Sequence, residues 1–328
     1  MRLDISPCNL FFKDLCNFQA SFIYLQIQLM QPVKLFKDPR HFQICFQSVF
    51  LFYGILFLHW SSPWWLYTTY FVTGIFTQFL CELIVIKNGI KRLSNTWWQK
   101  LYAGMPSALI SSFGLALFLK TNNIFIAVFA SSLAIVSKYV IRINGKHIFN
   151  PSALGIVASV MLTGQAWINP GQWGSGFILL VGILTLGVIV VTRVQKLDVS
   201  LAFLGTFASL LFIRQILYLN WPLDFFVQTI STGAVLVFSF FMISDPKTTP
   251  NHSTARILWA MLVGIGAFYL ATFKYVNGAP VYVLVGAQLL VPLLDRIFKA
   301  GLFDWKMPKQ TYKKVEVLTV RHPVTDRF

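Results

Sequence analysis

Charge is what this sequence has least of. Only 12% of its 328 residues are Asp, Glu, Lys or Arg, and only 11 are acidic. A soluble domain carries about 25% charged residues, because its surface has to stay wet. A soluble globular enzyme is therefore excluded. Cysteine is also sparse: Cys8, Cys16, Cys45 and Cys81 form no CxxC pair and have no histidine at metal-ligand spacing. Neither a secreted disulfide framework nor a metal site is expected. Cys45 and Cys81 lie inside apolar runs, where cysteine acts as a small hydrophobe. No Walker loop, GxGxxG, HExxH or catalytic triad occurs. Hydrolysis and nucleotide cleavage thus have no residues to act through, and no catalytic residue is assigned.

What the chain does have is apolar surface. Hydrophobic residues make up 56% of it, aromatics 16%, with 32 Phe, and mean hydropathy is +0.66. The 27 Lys+Arg give a net charge of +16, yet they sit in short gaps between apolar runs. A nucleic-acid binder would spread them over a wet face, so no nucleic-acid partner is expected. The reading is an all-α polytopic membrane protein whose partner is the lipid bilayer.

A helix needs about 20 apolar residues to cross about 30 Å of hydrocarbon. That ruler picks out about ten runs: 43–60, 66–86, 102–119, 124–141, 152–167, 176–192, 199–219, 225–243, 257–273 and 279–298. Trp60, Trp64, Trp65, Trp97, Trp98, Trp167, Trp173 and Trp221 flank them, as aromatics do at headgroup level. Lys and Arg alternate along the loops. Loops 61–65, 168–175 and 220–224 have none, 120–123 has Lys120 and 274–278 has Lys274. The opposite loops hold Lys87, Lys91, Arg92, Lys100, Arg142, Lys146, Arg193, Lys196, Lys247 and Arg256. Cytoplasmic loops carry the excess, so both termini are expected inside, in an inner (plasma) membrane. The chain divides into an N-terminal leader at 1–33, a ten-helix membrane domain at 34–298 and a basic cytoplasmic tail at 299–328. The stretch before Met30 lacks a signal-peptide pattern; an interfacial helix and an upstream misread start both remain open.

Ten spans with both ends inside accommodate two inverted five-helix repeats, with a working site near mid-membrane. Span three carries Ser107 and Ser111. Span eight carries Thr229, Ser231, Thr232, Gly233 and Ala234 at the equivalent place. Small hydroxyl-bearing stretches either let helices approach closely or mark a broken helix facing a pathway. Glu82 and Lys138 lie at similar depth inside apolar runs and are expected to pair or to serve an ion or proton step. Arg214 snorkels, and Asp295-Arg296 reads as a local boundary pair. Asn150-Pro151 and Ser244-Asp245-Pro246 read as helix starts, the polar side chain capping and Pro fitting the first turn.

The run Lys138–Gly155, with His147-Ile-Phe-Asn-Pro-Ser-Ala-Leu-Gly155, resembles the HxFNPxxxG stretch of the NqrB/RnfD family. That family contains membrane subunits of the Na+-pumping NADH:quinone reductase and of the Rnf electron-transport complex. Ser231-Thr-Gly-Ala-Val235, then Ser244-Asp245-Pro246, resembles its SGAT…TDP, and Val291-Pro-Leu-Leu-Asp295 is a third match. With Gly171-Gln-Trp-Gly174, the pattern looks most similar to a stand-alone, UnbU-like branch. The resemblance implies an inverted-repeat fold, redox partner subunits, and FMN esterified to the threonine that ends SGAT. Here that position is Val235, which has no hydroxyl. Covalent FMN is therefore not expected; a non-covalent flavin, FMN or riboflavin, in the 229–234 segment remains open. Glu82, Ser107, Ser111, Asn150, Ser244 and Asp245 are the candidate pathway residues. The function implied is electron transfer or ion-coupled transport, as a flavin-dependent or non-catalytic subunit of a redox-driven translocase. The alternatives are a non-redox small-solute transporter or channel, or an accessory membrane protein of a biosynthetic cluster.

Overall fold

The computed structural model describes residues 38–87, 97–174, 176–301 and 303. The leader before Met30, the loop charges Lys91 and Arg92, and the tail from 304 lie outside the described residues. Each expected run holds a helix, and the helix starts follow from local chemistry. Asp38 accepts from the Arg40 amide and Pro39 opens α1 (Pro39–Leu56). After α2 (Trp64–Lys87) and α3 (Trp97–Phe118), Asn123 caps α4 (Ile124–Val140) through the Phe125 amide. Asn150 caps α5 (Pro151–Thr163), which Gly164 ends in the left-handed conformation at φ 63°. Side-chain caps of this kind satisfy amides that the helix itself leaves open.

The second half runs α6 (Phe177–Arg193), α7 (Leu197–Phe212), α8 (Leu223–Ile230), α9 (Gly233–Val237), α10 (Ser253–Phe273), α11 (Ala279–Gln288) and α12 (Val291–Ile297). Helices α7 and α9 run on as π-helical turns, Ile213–Tyr218 and Phe238–Met242. Three helical stretches are long and apolar enough to cross a membrane singly: Trp64–Lys87, Leu197–Tyr218 and Ser253–Phe273. Two bent pairs qualify if each is one span. Leu223–Ile230 meets Gly233–Met242 at 44°, and Ala279–Gln288 meets Val291–Ile297 at 48°. Large apolar side chains such as Phe125, Trp64, Phe177 and Ile178 face outward, as they would toward lipid.

Packing has a regular pattern. Helix α2 packs on α3 and α4, α4 on α5, and α1 on α3. In the second half α7 packs on α10, α10 on α11, and α6 on α9. The halves meet through α1 with α6 and α5 with α11. Three connections depart from the sequence reading. Residues 166–168 are not helix but strand β4 (Ala166–Ile168), paired antiparallel with β1 (Leu119–Thr121) in register Leu119↔Ile168. Gly164 has already stopped α5. Strands β2 (Arg142–Ile143) and β3 (Lys146–His147) form a hairpin across Asn144 and Gly145, both at positive φ. An Asn-Gly pair favours this two-residue turn, because its twist needs φ > 0 at both positions. Finally, Asp245-Pro246 does not start a helix: it opens a turn, and α10 begins at Ser253 with His252 as its cap.

Candidate functional site

A cavity of about 370 Å³ runs along one face of α3. Gly104, Ser107, Ser111, Gly114, Leu117 and Phe118 all line it. Spacings of three and four put them on one stripe, and 14 residues at 1.5 Å each make that stripe about 21 Å long. The small residues of span three therefore border open space. Gly114 is also a close approach, since a Cβ there would stand 2.5 Å from Ser152 Oγ.

The polar wall opposite is mostly internally bonded. Tyr139 donates to Glu82 at 2.7 Å, and Gln78 Nε2 donates to Tyr139 Oη. Lys138 does not pair with Glu82. Its ammonium donates to Ser107 O at 2.9 Å and Ser107 Oγ at 3.1 Å, so the expected ion pair is replaced by a bond to the small-residue stripe. Two polar atoms stay open, Gln47 Oε1 and Gln78 Oε1, both buried with no hydrogen-bond partner. Their residues both line the cavity. An unpaired buried acceptor costs about 1–3 kcal/mol, so these two oxygens are suited to a hydrogen-bond donor.

Asp245, Arg142, His147 and Lys247 line the mouth at the β2–β3 end. Asp245 Oδ1 accepts the Lys247 amide, capping its own turn and not the helix entering span nine. Burial lowers the His147 pKa below its ordinary 6.5, so the imidazole is neutral near pH 7. Asn150 lines the cavity, but its side chain is spent. Its Oδ1 accepts from Ser152 and Ala153, and its Nδ2 donates to Met242 O. Ser244 lies outside the lining, its hydroxyl bonded to Phe240 O. Asp295 is not paired locally with Arg296. It holds Lys146 at 2.8 Å, across 149 positions of sequence. Arg214 stacks on Phe273 at 4.5 Å.

The second candidate segment is a break. The chain bends between α8 and α9 at Ser231-Thr232, and Thr229, Thr232, Ala234 and Val235 line a separate cavity of about 310 Å³. Ser231 bonds back to Val227 O and stays outside that lining. Gly233 is a packing position: a Cβ there would meet Leu179 at 2.7 Å and Trp173 at 2.9 Å. Phe118, Phe207, Phe238 and Tyr275 supply aromatic walls, and no charged residue lines it among the described residues. Such walls fit a flat uncharged ring better than a phosphate. The Thr229 and Thr232 hydroxyls both bond to the carbonyls four residues back, and Val235 has none.

Phe118 lines both cavities. It packs near Trp173, whose turn is tied to three elements. Trp60 donates to Gln172 O, Gln172 to Leu117 O, and the Gly233 amide to Gly174 O. Gly171-Gln-Trp-Gly174 thus joins the ends of α1 and α3 to the start of α9.

Residues 159–304 match the model of the NQR2, RnfD, RnfE family. The chain resembles that family. Two curated relatives are each named as a subunit of an ion-translocating oxidoreductase complex. The one from Erwinia tasmaniensis is 28% identical over 148 residues, 44% of this chain and 37% of that protein. The one from Tolumonas auensis is 28% identical over 143 residues, covering 43% and 37%. The chain thus spans little more than a third of the length of either. With its apolar helices, the family likeness makes this a multi-pass membrane protein. The matched segment holds Thr229–Val235, Ser244–Pro246 and Asp295, while Asn150-Pro151 falls just before it. Sequence reading missed Gln47, Gln78 and Phe118. Nothing in their types marked them, since a Gln or Phe becomes notable only when the cavity it faces is known.

Proposed function

We propose that this chain is the ten-span membrane subunit of an ion-translocating electron-transport complex, with the α3 cavity as its ion pathway. The observation that carries the reading is the meeting of two cavities at one aromatic side chain. The polar cavity follows α3 from the Asp245 end to Phe118, and beyond Phe118 lies the aromatic cavity at Val235. The proposal supposes that an uncharged flavin ring, held without a covalent bond, occupies the second cavity. The ion would pass Glu82 and the open Gln47 and Gln78 oxygens in the first. Relatives named as subunits of an oxidoreductase complex support a chain that works with redox partner subunits.

Two five-helix repeats accompany this reading. Packing of spans two with four, four with five, and one with three recurs five spans later as seven with nine, nine with ten, and six with eight. Equivalent spans also meet, one with six and five with ten. Arg142, Lys146, Lys196 and Lys247 sit in the connections at the Asp245 end, with Arg193 and Arg256 in the helix turns that flank them, and we assign that end to the cytoplasm of a plasma-membrane protein.

A second reading rests on Val235. Without an acceptor hydroxyl, the chain would be a non-redox small-solute channel built on the same scaffold. Purified full-length protein separates the two. The first expects a visible flavin absorption band and Na+ uptake into proteoliposomes driven by an added reductant and quinone. A colourless protein that conducts small solutes, and conducts them faster with Phe118→Ala, overturns the redox reading and favours the channel.

A further inference from the structure

The outer loops of the charge pattern contain two cations, Lys120 and Lys274, and of these Lys274 is exposed to solvent. The structure buries Lys120. Its residue is 5% exposed, at the end of the bundle opposite Asp245, on the β1–β4 ladder. The ammonium lies 5.0 Å from the Trp60 ring centroid and 5.1 Å from that of Tyr67. Its hydrogen bond goes to Tyr67 Oη at 3.3 Å. An ammonium has three donors, so two are unspent, and no carboxylate among the described residues pairs with it. Burial pushes its pKa down to about 8, which an incoming negative charge would reverse.

Lys120 faces a third cavity, of about 310 Å³. The lining is polar: His59, Ser61, Asn122 and Asn169 join Lys120, with no Asp or Glu among the described residues. Those four side chains spend no hydrogen bond on the rest of the protein. All four are exposed, so water holds their donors until a ligand replaces it, and Trp167, paired with Lys120 across the ladder, stands at the rim. A buried ammonium with two free donors, beside neutral polar side chains and with no carboxylate among the described lining residues, is the electrostatic complement of an oxyanion. The two rings stabilise the ammonium only in part, since cation–π attraction is weaker than a charge-assisted hydrogen bond.

We infer that this cavity is an anion site, in which Lys120, Asn122 and Asn169 bind a phosphate group. The same chemistry reaches the site as free inorganic phosphate or as the phosphodiester of an anionic lipid, since the tryptophans at this end lie where headgroups would. The inference is independent of whether the chain carries electrons.

The test is calorimetric titration of delipidated full-length protein in detergent with three probes: inorganic phosphate, dihexanoyl-phosphatidylglycerol and dihexanoyl-phosphatidylcholine. We expect inorganic phosphate or the phosphatidylglycerol to bind, and the zwitterionic lipid not to. Binding of inorganic phosphate identifies a free-ion site; binding of phosphatidylglycerol alone identifies a headgroup site. Lys120→Met, which keeps the alkyl stem against the rings, should weaken binding about tenfold or more, and Lys120→Arg should retain it. Asn122→Asp leaves Lys120 in place, changes an exposed residue, and should abolish binding by filling the charge vacancy. No binding of either anion, equal binding of phosphatidylcholine, or unchanged affinity in Asn122→Asp each overturns the assignment.

Discussion

Removing the Asp295 carboxylate should loosen the Asp245 end of the bundle, and the structure sets the size of the effect. Oδ2 lies 2.8 Å from the Lys146 ammonium, and Oδ1 accepts the Asn251 amide at 2.8 Å. Lys146 also donates to Thr249 O and Asn251 Oδ1. One ion pair therefore joins the β2–β3 hairpin, the 245–251 turn and α12. Breaking a fully buried pair from one side costs about 3–5 kcal/mol, because a lone charge stays behind. Here the side chains keep 11% and 18% exposure, and the ammonium keeps two other acceptors. About a third of that loss, ~1–1.5 kcal/mol, is appropriate for the pair after solvent screening. Losing the acceptor of the Asn251 amide adds ~1 kcal/mol. Burial lowers the Lys146 pKa and Asp295 opposes the shift, so Asp295→Ala should lower it further. The expected total for Asp295→Ala is ~2–2.5 kcal/mol, read as a fall in apparent Tm on the order of 5 °C for purified protein in detergent. Arg296→Ala should stay within ~0.5 kcal/mol of the parent. A double-mutant cycle with Lys146→Met isolates the pair. Equal losses for Asp295→Ala and Arg296→Ala, or no coupling between Lys146 and Asp295, would refute this account and restore the local pair.

Asn150→Ala should destabilise the protein by ~1–3 kcal/mol, because it removes both a helix cap and the tie to Met242 O; Asp245→Ala, which loses only the acceptor of the Lys247 amide, should cost ~1 kcal/mol or less while altering flux through the cavity. Thermal melts of the two variants decide this, and equal melting losses would show Asp245 to be structural. Lowering the pH should destabilise through His147. Its folded pKa lies below 6.5, so the unfolded chain takes up more protons and the stability it contributes is lost as pH falls from about 6.5. His147→Gln should flatten the Tm–pH curve in that window, and an unchanged slope would remove His147 as its cause. Expressed with a flavin transferase, the parent protein should show no fluorescent band on a denaturing gel, whereas Val235→Thr should show one if the flavin scaffold is intact. A band in the parent would mean that another hydroxyl, Thr229 or Thr232, is the acceptor.

Sequence by itself determined the medium and the helix positions. Apolar runs of about 20 residues cannot be kept in water, and caps such as Asn150-Pro151 act within four residues. Both signals are local, so they are legible without a fold. It also placed the small-residue stretches, Ser107 with Ser111 and Thr229 to Ala234, because serine and glycine inside an apolar run are visible by composition alone. Where those residues face was decided only by tertiary structure. The Ser107 stripe borders a cavity because α3 meets α2, α4 and α1 with small side chains between them, and Gly233 is filled by Trp173 from a distant turn. The pairings of charge were likewise non-local. Glu82 and Lys138 share a depth but turn to Tyr139 and Ser107, and Asp295 passes over its neighbour Arg296 to reach Lys146. A buried charge takes whichever partner the packing brings within 3 Å, and sequence distance has no part in that choice. Asn144-Gly145 is the exception, a turn signal open to reading from two residues, since the φ > 0 it needs is a property of those residues themselves.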